Sequence, residues 1–260
     1  MTGLLLALDI GNTATSVGVF RERGLLVSSR FPSRMELAVE ECASMLVTFL
    51  EKKLTNNSSI ERAIISSVVP RLTTVYTSAM ERKFGIKPLL VSARLPVGLK
   101  IGYRKPEQLG ADRLANAVAG FYLYGGPVVI VDLGTATKFE VVTKKGEYPG
   151  GAIGPGVETA SLDLVRKTAL LPKVVLKKPR RAVGRSTEEA LQAGILLGAA
   201  GGIDRVIAEI EKELGAKVKV IATGGLAKVV AGLSKRIQKV DPDLTLKGLR
   251  IIAERVNLTP

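Results

Sequence analysis

The sequence predicts an α/β protein built as two similar domains, each a mixed sheet flanked by helices, and two observations carry that expectation. The first is a pattern that occurs twice. Residues 4–20 read LLLALDIGNTATSVGVF, an apolar run that takes in Asp9, then a Gly11-Asn12-Thr13 turn and a second apolar run. Residues 128–142 read VVIVDLGTATKFEVV, with Asp132, Gly134, Thr135 and Thr137 in the same order. Strands buried on both faces read as continuous hydrophobic runs, so each stretch is expected to be an antiparallel hairpin with a tight polar turn. Recurrence near half the length of a 260-residue chain points to two similar domains facing each other. The second observation is alternation: behind the hairpins, strand-like and helix-like segments follow one another, as in an α/β half-domain.

The first domain is expected to span 1–108. A third strand follows the hairpin at 24–31, reached through Arg21-Glu22-Arg23. Leu37, Val39, Leu46 and Leu50 recur near helical spacing within 35–54. A loop at 56–59, a buried strand at 63–69, a helix at 71–84 and a strand at 87–91 complete this part, and 96–106 reads as irregular.

The second domain, 109–260, opens within a helical stretch, 107–126. Its apolar stripe is Leu109, Leu114, Val118 and Phe121 or Tyr122, and it stops at Gly125-Gly126. After the second hairpin, the Gly- and Pro-rich segment 146–160 either lets backbone approach a ligand or turns a corner. A helix at 161–171 and an extended basic connector at 171–179 follow. Ser186 or Thr187 then opens a long helix over 184–214, with Glu188 and Glu189 in its first turn. Gly194, Gly198, Gly201 and Gly202 each cost an isolated helix about 1 kcal/mol relative to Ala, so their spacing points to close packing against another element or another subunit. A strand at 218–222 and helices at 225–235 and 246–257 finish the chain.

Composition removes several chemistries. The chain has no histidine, which excludes Ser-His-Asp catalysis, His-ligated metals and His proton shuttles and leaves carboxylates, Lys and Tyr as bases. The single cysteine, Cys42, excludes an intrachain disulfide and a Cys-based zinc site; it lies in a helical pattern and is expected to be a buried structural thiol. No apolar run approaches the ~20 residues of a membrane span and no cleavable leader is evident, so a soluble cytoplasmic protein without a membrane partner is expected. The net charge of +14 is spread in short groups such as Lys177-Lys178 with Arg180-Arg181, and aromatic residues are only 4%, too few for a base-stacking platform. A solvated basic surface that favours anionic substrates accounts for the charge better than nucleic-acid binding does.

A carboxylate at a strand end beside a Gly/Asn/Thr turn suits a nucleotide phosphate and its metal. Backbone N–H groups and hydroxyls meet phosphate oxygens, and the carboxylate holds Mg²⁺ directly or through water. The alternative is an ordinary hairpin whose Asp9 and Asn12 stabilise the turn. Asp112 and Arg113 fall in or near the first turn of their helix, where free N–H groups and the helix dipole favour anions. There the alternative is a capping Asp112 and a surface Arg113.

The paired turns resemble the arrangement shared by actin, the sugar kinases and the heat-shock ATPases, the ribonuclease H-like group. Those proteins carry a later Gly-Gly turn where adenosine rests, and VKVIATGG at 218–225 resembles it. More specifically, the chain resembles the type III pantothenate kinases. The matching pieces are Asp9-Ile10-Gly11-Asn12-Thr13, Gly110-Ala111-Asp112-Arg113, Asp132-Leu133-Gly134-Thr135-Ala136-Thr137 and Gly150-Gly151-Ala152-Ile153-Gly154-Pro155-Gly156. Leu171-Pro172, Gly184-Arg185-Ser186-Thr187, Thr223-Gly224-Gly225-Leu226-Ala227 and the 241–249 segment DPDLTLKGL continue the match in family order.

The resemblance implies a homodimer that phosphorylates pantothenate with ATP and Mg²⁺ in the first step of coenzyme A synthesis. It implies an ATP phosphate loop of Asp9, Ile10, Gly11, Asn12, Thr13, Ala14, Thr15 and Ser16, with Asp9 on the Mg²⁺ side and Thr135 as a further ATP contact. It implies Asp112 as catalytic base, and Tyr103, Gly110, Ala111, Asp112, Arg113 and Thr187 as the pantothenate site, Thr187 reaching across the dimer. It also implies a monovalent cation, potassium or ammonium, on Asp132. The family commonly has Thr and Asp where this chain has Lys138 and Glu140, and a lysine so near the second turn can supply the charge that a cation otherwise gives. Two competing functions stand beside this one: a kinase whose acceptor differs with the 96–113 segment, and a regulatory or nucleic-acid-binding relative that keeps the nucleotide fold.

Overall fold

A computed structural model describes residues 3–54 and 59–256. The loop expected at 56–59 therefore lies outside the described residues except for Ser59, as does residue 257 at the end of the last expected helix. The described chain divides into two compact units. The first takes residues up to Ala119 together with those from Thr245 onward, and the second runs from Gly120 to Leu244. This partition differs from a chain-order boundary at 108/109, because 109–119 and the C-terminal helix belong with the first sheet.

Unit 1 is built on β1 (Leu4–Ile10), β2 (Ala14–Arg21), β3 (Gly24–Pro32), β4 (Ile60–Ser67) and β5 (Leu89–Leu90), in the spatial order β3-β2-β1-β4-β5. β1 is antiparallel to β2 and parallel to β4, so the sheet is mixed, as expected. Helices α1 (Val39–Lys53) and α2 (Pro70–Phe84) join a core with Leu4, Leu6, Leu8 and Ile10 from one face of β1. Pro70 occupies the first helical position, where its missing N–H costs nothing, and Gly85 closes α2 with a left-handed φ of 66°. Cys42 lies fully inside this core; burial, with a smaller contribution from the Glu41 charge, pushes its thiol up to about 12. No reactive thiolate forms there near neutral pH. The stretch expected to be irregular contains a short strand, β6 (Lys100–Ile101), and the helix expected from 107 begins instead at α3 (Ala111–Tyr124), after one turn of 3₁₀ helix at Pro106–Gln108.

Unit 2 repeats the design. Its sheet joins β7 (Val128–Leu133), β8 (Ala136–Val142), β10 (Gly150–Pro155), β11 (Lys219–Thr223) and β12 (Lys239–Val240) in the order β10-β8-β7-β11-β12, with β9 (Glu147–Tyr148) preceding β10. β7 is antiparallel to β8 and parallel to β11. The two sheets thus share one topology, and Asp9 and Asp132 occupy equivalent places in it. Helices α4 (Val157–Arg166), α5 (Thr187–Leu214) and α6 (Ala227–Ala231) cover this sheet; β7, β8, β11, α4, α5 and α6 all contribute to its core. α4 starts four residues earlier than the periodicity placed it, and α6 is shorter than the expected 225–235.

The chain then returns to unit 1 with α7 (Leu244–Val256). Gly18 on β2 leaves room for Leu246, whose Cδ1 would stand 2.9 Å from any Cβ added there. Gly248 lets α7 lie against α3, since a Cβ at that position would sit 2.0 Å from the Ala115 carbonyl oxygen. Thr245 Oγ1 donates to Asn116 Oδ1 at 2.8 Å across the same contact. The 241–249 segment therefore docks a helix.

Candidate active site

In unit 1, Asp9 lies at the second-last position of β1, opposite Ser16 on β2 and beside Ser66 on β4. Ser66 Oγ donates to Asp9 Oδ1 at 2.9 Å and fixes the carboxylate at the strand end. The turn after it is closed by Gly11 N–H donating to Ala14 O at 3.1 Å. Ser33, at the exit of β3, braces it from outside: its Oγ donates to Gly11 O at 2.7 Å and its N–H to Thr13 O at 3.0 Å. Asn12 and Thr13 are exposed at the tip, and Ala14 and Ser16 are half-buried. Ile10 is fully buried in the core, and its carbonyl accepts from Val68 N–H at 3.2 Å. Thr15 is also fully buried, and its Oγ1 shares a hydrogen bond with Ser33 Oγ at 3.2 Å. Its hydroxyl supports the turn from beneath.

Unit 1 also carries the start of α3. Leu114 N–H donates to Gly110 O at 3.1 Å, which puts the capping position on Gly110 and Asp112 at the second helical residue. A Cβ on Gly110 would stand 2.6 Å from Asp112 Oδ1, so the absent side chain is the space that the carboxylate occupies. Arg113 is buried, with its guanidinium carbon 5.6 Å from the centre of the Tyr103 ring and Nη1 donating to Tyr103 Oη at 3.3 Å. Ala111 is buried beside them. Tyr103 thus joins Gly110, Ala111, Asp112 and Arg113 in one group around a helix N-terminus. A half-exposed carboxylate and a buried guanidinium beside an aromatic ring suit an acceptor that has both a hydroxyl and a carboxylate.

In unit 2, Asp132 lies opposite Lys138 on β8 and beside Thr223 on β11. Lys138 Nζ contacts Asp132 Oδ2 at 2.8 Å. Gly134 N–H donates to Ala136 O at 3.2 Å and closes the turn as Gly11 closes the first. Thr135 is exposed at the tip, with its carbonyl accepting from Thr159 Oγ1 at 2.8 Å. The Gly-rich segment serves this turn. Residues 150–155 form an edge strand on β8, and Gly156 brings α4 against the turn backbone, where a Cβ would sit 2.3 Å from Thr135 O. Glu140 is fully buried and accepts from Tyr148 Oη at 2.5 Å.

Thr187 is the exposed first residue of α5. Ser186, not Thr187, caps that helix, accepting from Glu189 N–H at 3.2 Å while the Glu189 carboxylate accepts from Arg185 N–H at 2.8 Å.

The residues treat the two implied ions differently. For Mg²⁺ the chain offers a hard oxygen on Asp9, oriented by Ser66. Among the described residues no group of three acidic, Cys or His side chains is gathered for a metal. A single carboxylate plus nucleotide phosphates is the usual way proteins hold Mg²⁺, so the site fits. A monovalent cation on Asp132 does not fit, because the ammonium of Lys138 is already in contact with that carboxylate.

Comparison with known proteins gives the lineage. A family model described as type III pantothenate kinase matches residues 5–209. The type III pantothenate kinase of Dehalococcoides mccartyi strain CBDB1 is 41% identical over 251 residues, 96% of this chain and 95% of that protein. That of Moorella thermoacetica is 39% identical over 252 residues, 97% of this chain and 99% of its own length. Among solved structures, a conserved Baf-family protein from Campylobacter jejuni superposes with a TM-score of 0.61 at 20% identity, over 97% of this chain and 99% of that one, a likeness of fold.

Proposed function

The chain belongs to the type III pantothenate kinase family, and from that premise we propose that it transfers the γ-phosphoryl group of ATP to the primary 4′-hydroxyl of pantothenate, the first step of coenzyme A synthesis. The observation that carries the proposal is the family match over 5–209, which takes in both Asp-Gly turns and the Asp112 segment.

Each residue has a part in the chemistry. The turn from Asp9 to Ser16 receives phosphate oxygens through the backbone N–H groups and polar side chains of Asn12 and Thr13, while Ile10 and Thr15 shape it from within. Mg²⁺ bound with ATP would be held on the Asp9 side, where it neutralises charge that builds on the phosphates. Thr135 is assigned a further nucleotide contact. At α3, Arg113 with Tyr103 holds the pantothenate carboxylate, and Gly110 leaves space for the Asp112 side chain. Asp112 accepts the proton of the acceptor hydroxyl as its oxygen bonds to the γ-phosphorus and the bond to the β-phosphate oxygen breaks, leaving ADP. Phosphoryl transfer asks mainly for positioning and charge neutralisation, so a carboxylate base within hydrogen-bond reach suffices without histidine.

A homodimer is part of the proposal. Cβ atoms added at Gly194, Gly198, Gly201 and Gly202 would meet nothing within 4 Å, so no described residue of the same chain packs there. Leu162 and Leu164 on α4 and Leu197 on α5 are exposed in the same unit. A second copy covering this face would bury them and bring Thr187 to the neighbouring pantothenate site. Among the described residues no helix is long and apolar enough to cross a membrane.

ADP release measured with and without pantothenate tests the reading: pantothenate-dependent turnover is expected. Pantothenate-independent ATP hydrolysis, or turnover only with another acceptor, would overturn it.

A further inference from the structure

The duplicated hairpin makes a comparison within one molecule. Both sheets place an aspartate near the end of the first hairpin strand, with a cross-strand neighbour on the second. In unit 1 that neighbour is Ser16, which carries no charge; in unit 2 it is Lys138. Directly opposed residues of an antiparallel pair project from the same face with Cβ atoms about 4.5–5.5 Å apart, so the lysine reaches Asp132 without leaving the sheet. Its Nζ lies 2.8 Å from Asp132 Oδ2, and the two side chains are only 16% and 13% exposed. Lys138 and Glu140 share a face of β8 by strand alternation, and Glu140 is held by Tyr148.

A monovalent cation at Asp132 would have to share that carboxylate with a cation already in contact, in a site where water does little to screen their repulsion. It would also lose charge attraction that the ammonium already satisfies. We infer that Lys138 is a covalently tethered substitute for the monovalent cation, so that this kinase needs neither potassium nor ammonium. The inference rests on the pantothenate kinase reading for its catalytic meaning. The structural part, a cation site filled by a side chain, stands on the ion pair.

Two readouts test it on the whole protein. Pantothenate-dependent ADP release is compared in potassium, ammonium, sodium and choline chloride at equal ionic strength, and melting temperature is measured in the same salts. Wild type is expected to turn over within about twofold in all four and to melt at one temperature. Lys138→Thr removes the tethered charge, so its turnover and melting temperature are expected to become potassium- or ammonium-dependent, with turnover rising about tenfold or more over choline. Activation of wild type by about tenfold in potassium or ammonium, or a rise in its melting temperature specific to those ions, would overturn the inference. So would a folded Lys138→Thr variant as indifferent to salt as wild type. If wild type shows no pantothenate-dependent turnover in any salt, the kinase reading fails instead, and the melting temperatures still decide whether the site takes a cation.

Discussion

A carboxylate at position 112 serves either as proton acceptor or as a charge at a helix end, and Asp112→Asn separates the two. The amide keeps the size of the side chain and the space beside Gly110, so melting temperature and ATP affinity are expected to stay near wild type. Turnover is expected to fall about 100-fold or more, the usual worth of a general base. A helix-end charge alone predicts the reverse, a loss of roughly 0.3–1 kcal/mol in stability with the rate kept. Full activity in a folded Asp112→Asn protein would end the base assignment. Asp9→Asn makes a parallel case for the metal side: an amide oxygen can still accept from Ser66, but the charge proposed to face Mg²⁺ is gone. Turnover about 100-fold or more below wild type is expected, with the Mg²⁺ needed for half-activity shifted upward. An unchanged Mg²⁺ titration would remove Asp9 from the metal site. Both carboxylates were legible in the sequence because each interrupts or follows a pattern, an apolar strand in one case and a helix start in the other. Their supports were not. Ser66 stands in the apolar run AIISSVV as a polar residue without apparent purpose, and only the parallel register of β4 against β1 shows what it holds. Ser33 reaches back to Gly11 from the end of β3, a partnership no local pattern encodes.

At the scale of elements, Glu211 near the end of α5 is a joint that sequence reading passed over. A carboxylate at a helix C-terminus opposes the dipole, so it needs partners. It has three: Lys217 Nζ at 2.9 Å, Arg236, and the N–H of Val218 at 3.1 Å, just before β11. Burial raises the carboxyl pKa, but these donors outweigh it and lower it from 4.5 to about 2. A depressed folded-state value stabilises above the unfolded one and loses that contribution as pH falls through the folded one. Glu211→Gln is therefore expected to lower the melting temperature at neutral pH, with the gap to wild type closing between about pH 4.5 and pH 2. Denaturant melts across that range check it, and a gap that persists unchanged at low pH would refute the ion-pair account. The strands and long helices were legible for the usual reason, apolar periodicity. β10 was not, because Gly150-Gly151-Ala152-Ile153-Gly154-Pro155 has almost no β-formers and owes its strand to the free edge of β8. The place of α7 was also hidden: its apolar face was readable, but Gly18 and Gly248, which admit Leu246 and the α3 backbone, are scattered along the chain.

For the whole molecule, the question is what covers the α5 face. Four glycines within one 28-residue helix forfeit stability of about 1 kcal/mol each relative to Ala, yet in the single chain their absent side chains leave open space. Local propensity then predicts that a longer side chain at Gly198 should be harmless or mildly stabilising. A second copy seated closely on this face predicts the opposite, because small residues are what let two helix backbones approach. The exposed Leu162, Leu164 and Leu197 in the same unit argue for the second copy, since apolar surface of that kind is normally covered. Gly198→Arg is thus expected to convert a dimer of about twice 27.6 kDa into a monomer, read by light scattering on a sizing column. Because Thr187 opens the same helix and is proposed to serve the neighbouring pantothenate site, the monomer should show a raised KM for pantothenate while its affinity for ATP changes little. Wild-type protein that remains monomeric and fully active at every concentration, or a Gly198→Arg variant that dimerises and turns over normally, would refute the shared site.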